Sequence, residues 1–135
     1  MLPDEQAKIF LQYDYAEGKA LCTQFLTIVV AVLVFSLAFS EKIADFHKAS
    51  KLVKGLLLTA WCLFMIAIIL GGVALYDIAM AAGNALYGHD TSYYEGESAA
   101  MTMAIIGGGS FIAGLIALML SAVGTVFRRH RNSVN

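Results

Sequence analysis

Uncharged and charged positions alternate along this chain in long blocks. Ala20 to Ser40, Gly55 to Tyr76 and Ser98 to Phe127 contain no Asp, Glu, Lys, Arg or His. An α-helix crosses a hydrocarbon core of roughly 30 Å in about twenty residues, so each block is long enough to span a bilayer. The pattern predicts an all-α integral membrane protein with three transmembrane helices. Residues 1–19 mix apolar and charged types, with Ile9, Phe10, Tyr13, Ala16 and Ala20 at helical intervals. They predict an amphipathic N-terminal helical extension running without a break into the first span. Leu2-Pro3-Asp4-Glu5 marks its start, since proline suits the first helical position and acids suit the positive end of the helix dipole.

Within the blocks, small residues recur every fourth position. Gly109, Ala113, Ala117, Ser121 and Thr125 form a ladder in the third span. Thr23, Thr27 and Ala31 repeat the spacing in the first, with Gln24 beside them, and Ala67 and Gly71 in the second. Such rows let another helix approach closely, because in lipid helices associate through packing and hydrogen bonds. They are read as helix-packing or pore-lining faces. The threonines have a plainer reading too, since each can bond its own helix backbone. Gly107 and Gly108 lead into Gly109 inside an apolar run that follows no strand, so they form no phosphate loop. They fit a close helix contact, a kink or a gating hinge.

Between the blocks the two connections differ in charge. Residues 41–54 carry Lys42, Lys48, Lys51 and Lys54, and Ile43, Phe46, Ala49 and Val53 lie at helical spacing. A short interfacial helix on an anionic leaflet is predicted there. Residues 77–97 form an acidic loop with no lysine or arginine. Asp77 and Asn84 stand seven residues apart on one side of a helix continuing through Ile78, Met80 and Ala81, and Glu95 and Glu97 close the loop. These four, with Gly107 and Gly108, are the candidate mouth or gating residues, because rings of acids at a pore entrance concentrate cations. The first connection and the tail 128–135 hold seven basic residues, against two in the N-terminal segment. The bias predicts a cytoplasmic C-terminus.

Composition agrees: 59% hydrophobic residues, 14% charged and a mean hydropathy of +0.73 lie outside the soluble norm. A net charge of -1 with no basic stripe argues against nucleic-acid binding. Cys22 and Cys62 fall in apolar runs and make no disulfide framework or metal pattern. His89, Asp90, Glu95 and Glu97 have ligand chemistry but a spacing that matches no metal loop. No nucleophile comes with a nearby base, and the spans lack the ionisable groups that relays, coupled carriers and haem sites place at membrane depth. The chain is therefore predicted to be no enzyme and to bind no cofactor and no metal. Its expected partners are the bilayer, further copies of itself in a homo-oligomer, and a larger membrane or signalling complex.

Tyr13-Asp14-Tyr15-Ala16, the exit Ser36-Leu37-Ala38-Phe39-Ser40-Glu41-Lys42 and the spacing of Trp61, Phe64, Ile68 and Gly71 resemble small multi-span bacterial membrane proteins of the SLATT type. The resemblance is one of hydrophobic pattern over the first two-thirds of the chain. It implies a bacterial inner-membrane protein acting as a pore-forming effector in defence or signalling. The alternative is a non-catalytic accessory or scaffold subunit of a larger membrane complex.

Overall fold

A computed structural model describes residues 8–40, 42, 49–87 and 93–133, without the side chains of 93–97 and 128–133. Three long helices dominate: α1 (Tyr15–Ala38), entered through a π-helical turn at Phe10–Asp14, α2 (Lys51–Tyr87) and α3 (Tyr93–Ser133). No strand occurs among the described residues. All three helices are long and apolar enough to cross a membrane. The chain is compatible with a multi-pass membrane protein.

From Lys8 on, the extension and the first span form one continuous helical path, whereas the expected start at Leu2-Pro3-Asp4-Glu5 lies outside the described residues; the join contains a device. Tyr15 N–H donates to the Phe10 carbonyl, the i to i+5 bond of a π turn. The inner face of α1 runs in sevens through Ser36, Val29, Cys22 and Tyr15, and an ordinary turn of four back from Tyr15 places Leu11 in the seam. The extra residue in the π turn shifts that phase. Lys8 is exposed, while Phe10 is buried against Ala81, with Leu11, Tyr15 and Ala85 packed around the pair.

The helices overrun the expected boundaries. α2 begins at Lys51, not Gly55, because the Ser50 hydroxyl accepts the Val53 N–H at 3.3 Å, an N-cap bond that satisfies an otherwise orphan donor. Lys51, Val53 and Lys54 therefore belong to α2, and Ile43 and Phe46 of the expected interfacial helix lie outside the described residues. At its other end α2 continues past Tyr76 to Tyr87, since alanine and methionine favour the helix and no proline stops it. α3 starts at Tyr93, so the long acidic connection is largely helix. At about 1.5 Å per residue, α2 and α3 measure roughly 55 and 61 Å, well beyond a hydrocarbon core of about 30 Å.

Neighbouring helices run antiparallel: Phe10 meets Ala81, Cys22 meets Ala74, and Val29 meets Phe64 and Ala67. At mid-height one phenylalanine from each helix fills the centre. Phe111 of α3 stands edge-on to Phe25 of α1, with centroids 5.9 Å apart, and tilted to Phe64 of α2 at 5.8 Å. Phe64 is fully buried in this cluster, and Phe25 and Phe111 are half-buried.

Candidate functional site

Which small residues meet another helix is decided by period. An α-helix turns about 100° per residue, so a step of four overshoots one turn by about 40°, and four such steps rotate by about 160°. The ladder of α3 therefore cannot keep one face. Ala117, Ser121 and Thr125 are buried within the bundle, whereas Gly109 and Ala113 are exposed on its outside.

The buried stripes follow sevens instead. Ala60, Ala67, Ala74 and Ala81 lie at that spacing on α2, and Ala100, Gly107, Gly114 and Ser121 on α3. A seven-residue repeat drifts only about 20° per cycle, which helices absorb by winding around each other. Small residues on both sides bring the two backbones close. A Cβ at Gly114 would lie 2.6 Å from Phe64 Cε1 and 3.3 Å from the Ala60 carbonyl oxygen, so no larger residue fits without displacement. Reading the sequence in fours misses Gly114; reading it in sevens finds it.

Gly107 sits where all three helices meet, with a Cβ placed 3.4 Å from Leu70 Cβ, 3.6 Å from the Ala67 carbonyl and 3.8 Å from Phe25 Cε1. A methyl group would make ordinary contacts there. Gly108 is half-buried and Gly109 exposed, both with open space around them, and α3 stays α-helical through the triad. Gly107 thus lies at a helix contact, whereas a Cβ at Gly108 or Gly109 meets nothing within 4 Å. On α2, Ala67 and Gly71 are buried, and a Cβ at Gly71 would approach Leu26 Cδ2 to 2.8 Å.

On α1 the four-residue row faces outward. Thr23, Thr27 and Ala31 are exposed along a shallow groove, with Gln24 also exposed. Thr23 Oγ1 donates to the Lys19 carbonyl and Thr27 Oγ1 to the Thr23 carbonyl, each at 2.8 Å. The backbone-bonding reading accounts for both hydroxyls. Inside the bundle, Trp61 Nε1 donates to Ser36 Oγ at 3.1 Å, and Ser36 Oγ donates to the Leu33 carbonyl at 2.9 Å. Tyr76 is exposed, but Trp61 is half-buried and turned onto α1. Thr125 Oγ1 donates to the Ser121 carbonyl at 3.0 Å, while the Ser121 hydroxyl, fully buried, has no hydrogen-bond partner among the described residues.

Asp77 and Asn84 share α2, half-buried and exposed respectively. Glu95 and Glu97 lie on the first turns of α3 with side chains outside the described residues, and His89 and Asp90 fall outside them altogether. Among the described residues no group of His, Cys, Asp or Glu is arranged to hold a metal ion. Comparison with known protein families, curated proteins and solved structures finds no match.

Proposed function

We propose that the chain is a homo-oligomeric protein of the bacterial inner membrane whose copies together form an ion-conducting or membrane-perturbing pore. One observation carries this reading: the small residues divide between an inner seam, already used within one copy, and outer positions left open at Gly109 and Ala113 on α3 and Thr23, Thr27 and Ala31 on α1. In lipid such positions gain only by meeting further helices, and identical subunits close most readily into rings. Because Phe25, Phe64 and Phe111 fill the axis of a single bundle, the pathway runs between copies. The acids at one end, Asp77 with Glu95 and Glu97, would sit at its mouth and favour cations. The basic connection and tail face the cytoplasm in this arrangement. It is the activity that the resemblance to SLATT-type effectors implies.

A second reading rests on helix length. α2 and α3 extend well past a bilayer, and protruding helix ends suit an accessory or scaffold subunit that docks on a larger complex or a signalling partner.

The mass of the particle solubilised in mild detergent separates the two. A discrete ring of copies supports the pore, and a monomer that is stable only with a foreign partner supports the scaffold. Conductance through reconstituted liposomes then tests the outer positions: Gly109→Leu with Ala113→Leu is expected to reduce assembly and current together. Full current from a dilute monomeric preparation overturns the pore between copies.

A further inference from the structure

Near the acidic end the bundle opens into a cavity of about 240 Å³, bounded by the π turn and start of α1 and by the facing stretches of α2 and α3. Its walls change character along the bundle axis. At the outer end stand Phe10 and Asp14 of the π turn; at the inner end stand Leu21, Cys22 and Ala104, which are apolar. Among the described residues Asp14 is the one charged residue in the lining, is exposed at the rim, and makes no ion pair. Lys19, the nearest cation along α1, is turned to the ring of Tyr15, 5.8 Å from its centroid. Glu17 and Lys8 are exposed, and Asp77 on α2 is half-buried. The π turn creates this arrangement. It carries Phe10 onto Ala81 as a roof and leaves the following carboxylate at the opening, in keeping with the association of such turns with functional sites.

We propose that this cavity binds an amphiphilic ammonium, its alkyl chain between Cys22 and Ala104 and its head against the Asp14 carboxylate. A carboxylate outside and an apolar floor inside match the orientation that a single-chain amine, or an amine-headed lipid, takes at a membrane edge. The level is also right, because Lys19 and Asp77 end the uncharged stretches of α1 and α2 beside the cavity. The volume suits a segment of alkyl chain. The site rests on the membrane placement proposed above but is independent of pore formation.

The test uses the full chain in dodecylmaltoside, with a decylamine bearing a diazirine in its chain as photolabel and peptide mass spectrometry as readout. Label is expected on the peptides holding Leu21 and Met101, displaced by decyltrimethylammonium more effectively than by decanol. Asp14→Asn should weaken displacement by the ammonium about five-fold, the scale of an exposed ion contact, and leave decanol unchanged. Ala104→Phe, with helicity checked by circular dichroism, should abolish specific labelling. Equal competition by decanol, indifference to Asp14→Asn, or label spread along the outer face at Val30 and Val34 overturns the proposal. In nanodiscs, protection by phosphatidylethanolamine identifies a lipid occupant, and protection by the free amine alone identifies a soluble amphiphile. Particle mass, measured on the same samples, reports separately on the oligomer.

Discussion

The contacts of α2 with α3 and of α2 with α1 are built differently. α2 and α3 meet along most of their length through alanine and glycine, with Phe64 seated over Gly114 so closely that even a Cβ has no room. α1 is held by side-chain tips: Leu26 over Gly71, Phe10 over Ala81, and the Trp61 to Ser36 hydrogen bond. The first contact is fixed by backbone against ring and has no slack. The second rests on flexible ends that can give. α2 and α3 thus form the stiff unit, and α1 is the element that can be adjusted or displaced at smaller cost.

The largest expected effect comes from filling the stiff seam. Gly114→Leu drives a branched side chain into the Phe64 ring and the Ala60 carbonyl, and overpacking of that kind costs about 3 kcal/mol or prevents folding. Gly109→Leu, five residues away and open to the outside, is expected to change the stability of one copy by less than about 0.5 kcal/mol. Unfolding in detergent followed by circular dichroism compares the pair. Equal losses would mean that the two faces of α3 are not distinct.

Gly71→Val comes next. Its neighbour is the far end of Leu26, which can swing aside, so the cost is about 1 to 2 kcal/mol. Leu26→Ala in the same chain should recover part of it, and a double-mutant cycle reads the coupling directly. If the double variant is no better than additive, α1 is as rigidly seated as α3.

Much of this architecture is legible in the sequence. Uncharged runs locate the three helices, because blocks of about twenty or more apolar and small residues without charge or proline favour one long helix. The continuous path from the extension into α1 is legible as well. Helix ends are less so: Ser50 caps α2 five residues before the apolar run begins, and nothing after Tyr76 forbids the helix from continuing. Seam positions within one chain are harder to read from spacing. Rows of four are visible to the eye at Gly109 to Thr125, but only sevens stay in register over several turns, which is why Gly114 is central and Gly109 and Ala113 lie outside. The π turn leaves no obvious mark beyond its result, Phe10 buried where an ordinary turn back from Tyr15 places Leu11.

A smaller effect is expected from the polar tie between α1 and α2. Trp61→Phe keeps most of the ring and removes the indole N–H that donates to Ser36 Oγ at 3.1 Å. Hydrogen bonds between membrane helices contribute about 0.6 kcal/mol on average, so the loss should be of that order. Ser36 remains satisfied through the Leu33 carbonyl, which limits the damage to one bond. A loss of several kcal/mol would show that this tie, and not the tips at Gly71 and Ala81, holds α1 in place.

Ser121 gives the smallest change and the opposite sign. Its hydroxyl is fully buried in the α2–α3 seam with no partner among the described residues, while its carbonyl already accepts from Thr125. A buried hydroxyl without a partner carries its desolvation cost uncompensated, so removing it relieves that cost and leaves only a small void. Ser121→Ala is expected to stabilise the bundle by about 0.5 kcal/mol, and Thr125→Val, which deletes a bonded hydroxyl, should not. Were Ser121→Ala to destabilise instead, the hydroxyl would have a partner in the assembled protein, and the seam between α2 and α3 would extend to a further group at this position. The sign of one small substitution therefore decides whether the stiff contact is complete within a single chain.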